Sequence, residues 1–169
     1  MNRNTFILLA CLLVVGCGTG PSSQSAPADP ALVGAWRSKI AFRTGPLAEA
    51  KGLEFLYAYN SGGTMTESSN YDEAANSSPP AYGVWKQVDA RTFQATYVFF
   101  TTRAPVPADN APGNADWWPA GHGVLTEAIT LADDGRSYTS TIKLDLFDMA
   151  DKPMAGGGEG TGAGTRVEF

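Results

Sequence analysis

From Ala31 to the end of the chain, apolar and polar residues alternate with a period of two, and no stretch sustains the 3.6-residue period of an amphipathic helix. Trp36, Ile40 and Phe42 share one face of a first strand while Arg37, Lys39 and Arg43 occupy the other, as in a strand buried on one side. Leu53, Phe55, Tyr57 and Tyr59 repeat the pattern, and Asn60-Ser61-Gly62-Gly63 then predicts a turn into Thr64-Met65-Thr66. After a polar loop carrying Asn70, Asn76 and Pro79-Pro80, the segment from Tyr82 to Val88 turns through Asp89-Ala90-Arg91 into Thr92 to Phe100. There Phe93, Ala95, Tyr97 and Phe99 face one way. Val124 to Leu131 passes through Asp133-Asp134-Gly135, the firmest turn signal in the chain, into Tyr138 to Phe147. Tyr138, Ile142, Leu144 and Leu146 line one face of that strand.

The last segment is unusual. Gly156, Gly158, Gly160, Gly162 and Gly164 take every even position, with Glu159, Thr161, Ala163 and Thr165 between them. If this is a strand, one face lacks side chains, which admits a neighbouring backbone or a ligand, or marks the bends of a tightly curled sheet. The other reading is a flexible glycine-rich tail, against which Arg166-Val167-Glu168-Phe169 restores alternation. A phosphate-binding loop is excluded by the missing Lys-Ser/Thr and following helix. The segments sum to about eight strands in up-and-down order. The fold class is therefore all-β, a small antiparallel β-barrel in preference to a sandwich.

Composition changes the picture at the amino terminus. Arg3 opens an uncharged run from Thr5 to Val15 that ends at Gly16-Cys17, the layout of an exported signal, and the run is shorter than the ~20 residues a membrane-spanning helix needs. Val14-Val15-Gly16-Cys17 resembles the lipobox of bacterial lipoproteins. The resemblance implies a signal peptide over residues 1–16, cleavage before Cys17, a diacylglyceryl group on its sulfur and an acyl chain such as palmitate on its new amino terminus. The alternative is an ordinary secretory signal with Cys17 coincidental. Several acyl chains, each contributing about 0.8 kcal/mol per buried methylene, anchor a protein stably, so the expected location is a membrane of the bacterial cell envelope and the expected partner its lipid bilayer. Residues 17–30 read as the lipidated cysteine and a flexible tether, since Gly, Pro, Ser, Ala and Thr cannot bury a core, and residues 31–169 as the barrel domain.

The chain has 169 residues and a net charge of −5, one unit more negative once Arg3 is removed, which argues against nucleic acid and against an electrostatic grip on anionic headgroups. Cys11 leaves with the signal, so Cys17 has no disulfide partner, and His122 is the sole histidine, which leaves no metal-ligand cluster. No cofactor is expected.

Gly34-Ala35-Trp36 on the first strand and Arg166 on the last resemble the pairing of lipocalin-like (calycin) barrels. That resemblance implies a structural role for Gly34, Trp36 and Arg166, with the guanidinium over the indole sealing one end. Phe55 to Gly63, Gly83-Val84-Trp85, Thr92-Phe93-Gln94-Ala95-Thr96 and Gly164-Thr165-Arg166, taken in order, resemble a group of secreted bacterial lipocalin-like lipoproteins. No helix pattern follows Arg166, and Thr101 to Gly123 forms a long linker. Both departures favour a compact barrel related in shape to the allene oxide cyclase barrel, an architecture that includes isomerases and cyclases.

The leading expectation is a non-catalytic barrel that takes up a small apolar or amphipathic ligand. Its lining is expected from Phe55, Tyr57, Tyr59, Trp85, Tyr97 and Phe99, with Trp117 and Trp118 of the linker either capping the mouth or packing outside. An isomerase or cyclase is the alternative, with His122 or Glu127 moving a proton; a protein-interaction module is the other. His122, between two glycines, reads as a mobile surface residue. Glu127 shares the face of Leu125, Ile129 and Leu131, which sets a carboxylate inside the barrel or, on the preferred reading, at its rim.

Overall fold

The computed structural model describes residues 31–71, 79–113 and 117–168, and the signal segment, Cys17 and the tether lie outside the described residues. Eight antiparallel strands close into a barrel in sequence order: β1 (Gly34–Phe42), β2 (Glu54–Tyr59), β3 (Thr64–Ser69), β4 (Ala81–Gln87), β5 (Thr92–Arg103), β6 (Trp118–Leu131), β7 (Ser137–Phe147) and β8 (Pro153–Arg166). Two 3₁₀ turns, Pro46–Glu49 and Pro107–Asp109, decorate the connections. No helix among the described residues is long and apolar enough to cross a membrane.

The glycine-rich segment is β8, and it closes the barrel by pairing with β1 from Trp36↔Arg166 to Phe42↔Gly160 and with β7 from Ser137↔Thr165 to Phe147↔Pro153. Its buried face consists of Gly160, Gly162 and Gly164, while Thr161, Ala163 and Thr165 face solvent. The room this leaves is already occupied. A Cβ at Gly164 would overlap the Tyr138 ring, and one at Gly162 would overlap the Ser140 hydroxyl and press on Ile40 and Ser38. The bare face thus lets a large aromatic side chain from the neighbouring strand lie across it, instead of leaving space for a guest.

One end is sealed. Arg166 Cζ lies 4.3 Å from the centre of the Trp36 ring, and the guanidinium donates to the carbonyls of Val33 at 2.8 Å, Gly135 at 3.2 Å and Ala31. The Trp36 indole donates to Leu32 O at 2.9 Å and packs on Tyr138 with 5.1 Å between ring centres. Cation–π contact and hydrogen bonds to carbonyls work together here, since a half-buried guanidinium that has given up part of its hydration is compensated by the indole face and by these acceptors. Tyr59, Trp85 and Phe93 fill the same end, and the Trp85 indole is fixed by Asn60 O and Thr64 O at 3.2 and 3.0 Å.

The connections differ at the two ends. The short turns Asn60–Gly63, Val88–Arg91 and Ala132–Arg136 all lie at the sealed end, where Gly135 takes φ +66° in the Asp-Gly turn. The longer connections surround the opposite end, which is the mouth. The expected linker from Thr101 to Gly123 is strand at both flanks: β5 extends to Arg103 and β6 begins at Trp118, with an irregularity between Thr101 and Thr102. Backbone pairing outweighs Pro119 and the glycines of the second flank because each added rung satisfies groups that would otherwise need water. Between them, Arg103 grips Asp109 through two nitrogens at 2.7 Å and Asp109 accepts from Val106 N, which holds its carboxyl down at about 2.

Alternation along β8 gives a sharp contrast. Gly164→Val is expected to lower stability by about 2 to 3 kcal/mol through collision with Tyr138, whereas outward Ala163→Val stays within about 0.5 kcal/mol, both measured by urea unfolding. Equal effects at the two positions would contradict the register.

Candidate functional site

Above the sealed end, the barrel interior turns polar. Tyr57 and Tyr97 stand opposite each other with hydroxyls 3.0 Å apart, and Tyr97 donates to Glu127 Oε2 at 3.2 Å. Glu127 is 2% exposed, not at the rim. The physical reason is the length of β6: because the strand starts at Trp118, Leu125 stands near the mouth and Glu127 falls in mid-strand, opposite Ala95 and Ile142. A second carboxyl, Glu67 on β3, is also buried at 6% exposure. Sequence reasoning missed it, although the signal was present: extending the alternation from Met65 by two positions places Glu67 inward. Ser38 and Ser140 are buried by the same rule.

This polar layer is incompletely paired. Oε1 of Glu67 is buried without a hydrogen-bond partner, while Oε1 of Glu127 and the hydroxyls of Ser38, Tyr59, Tyr138 and Ser140 lie near one another without forming well-aligned hydrogen bonds. Among the described residues, no lysine, arginine or histidine is buried to balance the two acids. Burial therefore raises Glu67 from the ordinary 4.5 to about 8, with the neighbouring Glu127 adding to the shift. Burial likewise raises Glu127 to about 7, while the hydroxyls of Ser140, Tyr57 and Tyr97 pull it back by favouring the anion. The phenols of Tyr57, Tyr59, Tyr97 and Tyr138 are all pushed upward, first by burial and then by Glu127, so they stay protonated at any physiological pH.

A cavity of about 260 Å³ opens at the mouth, walled by Phe42, Leu53, Phe55, Phe99, Leu125 and Leu144, with Glu67 and the hydroxyl residues Ser69, Tyr71, Thr101 and Thr102 as its polar members. Of the sequence-expected lining, Phe55 and Phe99 reach this cavity, and Tyr57 and Tyr97 lie one layer below. Tyr59 and Trp85 belong instead to the packed sealed end, because the Asn60–Gly63 hairpin that anchors Trp85 is on that side.

Trp117 and Trp118 do not cap the cavity. Trp118 is the first residue of β6, paired with Arg103, and Trp117 is 59% exposed in a separate groove on the outer wall. That groove, about 630 Å³, also contains Phe100, Met149 and His122. His122 is held in β6 and not in a mobile loop. It points outward, stacked on Phe147 with 5.0 Å between ring centres, and its Nδ1 is 3.9 Å from Asp151 Oδ1. The strand alternation that sends Glu127 inward sends His122 outward, so the two cannot act on one molecule inside the barrel. Among the described residues no group of three His, Cys, Asp or Glu is arranged to hold a metal.

Both buried carboxyls keep a proton in the folded barrel that the unfolded chain releases near 4.5, so the folded state is favoured below that value and loses ground as pH rises toward 7 and 8. Urea unfolding is expected to show stability falling from about pH 5 to about pH 8, by up to about 1.4 kcal/mol per pH unit for each retained proton. The Glu67→Gln/Glu127→Gln double variant removes most of that slope and is the more stable protein at pH 8. Stability that rises over this interval would mean that the carboxyls are not buried as acids. Compared with protein-family models, curated proteins and solved structures, the chain matches none, and its function is read from the barrel itself.

Proposed function

We propose that this barrel takes up a small amphipathic molecule through its mouth and holds it without chemical change. The observation that carries the proposal is the cavity of about 260 Å³, whose aromatic and aliphatic wall ends on a buried carboxyl. A pocket of largely apolar wall with a few convergent polar groups is the usual form of a small-molecule site, and this one lies near the lower limit of the roughly 300 to 1,000 Å³ range. Its size favours a single ring or short chain over a long acyl tail. The up-and-down eight-stranded architecture supports the reading, since such barrels either fill completely or hold one small guest, and here the filled end and the open end are on opposite sides.

Lipid attachment at Cys17 and residence in the bacterial envelope, as a lipocalin-like lipoprotein, complete the proposal. Ala31, held by Arg166, lies at the sealed end. An anchor upstream of it ties the domain by its closed base and leaves the mouth on the far side from the attachment point, open to molecules in the surrounding compartment. Turnover is the second reading, favoured by the inward position of Glu127 beside Tyr97. Against it, Glu127 lies beneath the mouth cavity and is not among the residues that line it, and a proton-transfer group must reach within about 3.2 Å of the atom it serves.

Uptake is tested by titrating the purified chain with an apolar fluorescent probe of one or two rings and measuring its emission shift. Saturable binding at one site is expected, with Leu125→Trp, which fills the mouth, weakening it at least about tenfold. Absence of saturable uptake, or binding indifferent to Leu125→Trp, would overturn the mouth as the site.

A further inference from the structure

We propose that the guest carries a positively charged nitrogen, which Glu67 receives at the floor of the mouth. This inference rests on the uptake reading and adds the chemical class of the head group. Three independent features point the same way. First, Glu67 lines the cavity with an unpartnered Oε1 although the residue is more than nine-tenths buried, and none of the hydroxyls of Ser69, Tyr71, Thr101 and Thr102 in the same lining bonds that oxygen. Second, among the described residues no basic side chain is buried, and the half-buried Arg166 is committed to Trp36 and three carbonyls at the sealed end. Third, the wall beside Glu67 is formed by the rings of Phe42, Phe55 and Phe99, whose faces attract a cation far more than an anion.

At pH 8, where both carboxyls have in part given up their protons, an anionic guest would meet Glu67 with Glu127 behind it in a dry interior, where like charges repel strongly. A neutral guest would leave the carboxyl protonated and make at best an ordinary hydrogen bond. An ammonium group makes a charge-assisted one, shorter and roughly twice as strong, and stabilises the carboxylate that burial alone disfavours. Binding is therefore coupled to release of the Glu67 proton. Glu127 of β6 acts on Glu67, Glu67 in turn acts on Tyr97 of β5, and Tyr71 lines the same cavity; the other buried polar groups of the interior are Ser38 of β1, Tyr57 and Tyr59 of β2, and Tyr138 and Ser140 of β7, with β8 presenting bare glycine. The four buried phenols do not ionise in the neutral range, so Glu67 and Glu127 alone set the pH dependence.

The experiment compares three probes with one ring and one two-carbon frame, 2-phenylethylamine, 2-phenylethanol and phenylacetate, by calorimetric titration of the full chain at pH 6, 7 and 8. At pH 8 the expected order is amine, then alcohol, then acid, with the amine favoured about tenfold over the alcohol. Amine affinity should fall as pH is lowered, by up to about tenfold per unit below the Glu67 value of about 8, while alcohol affinity stays flat. Glu67→Gln should abolish the amine's advantage yet retain alcohol binding, which also shows that the variant is folded. At pH 8, amine and alcohol binding equally, acid binding best, or an amine preference that survives Glu67→Gln would overturn the charged head while leaving uptake intact. Failure of all three probes together with the apolar fluorescent probe would overturn uptake and this inference with it.

Discussion

Closure through a strand with a bare inner face is the constraint on which this molecule depends. An eight-stranded barrel has little internal volume, and this one must hold Trp36, Trp85, Tyr57, Tyr59, Tyr97 and Tyr138 inside. Side chains projecting from all eight strands would overfill it, and overpacking costs as much as a cavity does. Gly160, Gly162 and Gly164 solve the problem by contributing backbone only, so Tyr138 and Ser140 of β7 and Ser38 of β1 occupy the space in front of β8. Each glycine surrenders some stability in a strand, through entropy and missing contacts, and the aromatic packing it permits offsets that loss.

The same arrangement separates the barrel into two halves. At the base, indole, phenol and guanidinium pack without leaving a site, and the Arg166 guanidinium links the entering chain, the Asp-Gly turn and the last strand in one knot. Toward the mouth, polar groups replace packing: two carboxyls, several hydroxyls and no cation. A protein selected for stability alone gains nothing from such a layer, because each buried unpaired polar atom carries a desolvation penalty. Buried groups of this kind are tolerated where a partner from outside completes them, and they give the interior a direction, apolar at the entrance and acidic below.

Much of the architecture was legible in the chain. Period-two alternation, the Asp133-Asp134-Gly135 turn and the paired glycines at 62 and 63 define strands and hairpins locally, because side-chain direction in a strand follows from parity and turn geometry from the residues that tolerate it. The site was only partly legible. Glu67 follows from Met65 by parity, but an acid in a short polar-looking strand carries no hydrophobic signal. Glu127 shared a face with leucines, and its depth depended on where β6 begins, which Trp117-Trp118-Pro119 does not announce. The extension of β5 and β6 into the supposed linker arises from pairing between segments far apart in sequence, beyond the reach of local propensity.

The sequence by itself determined that this chain forms alternating strands joined by tight turns, that its interior is aromatic, and that its last strand has a face without side chains. These are consequences of periodicity and of glycine's missing Cβ. Only the tertiary structure decided that Trp117 lies outside while Glu67 and Glu127 lie within, and that a cavity remains at the mouth. Parity tells two faces apart but cannot say how deep along the barrel axis a residue lies, and depth is what separates packed core, polar layer and mouth.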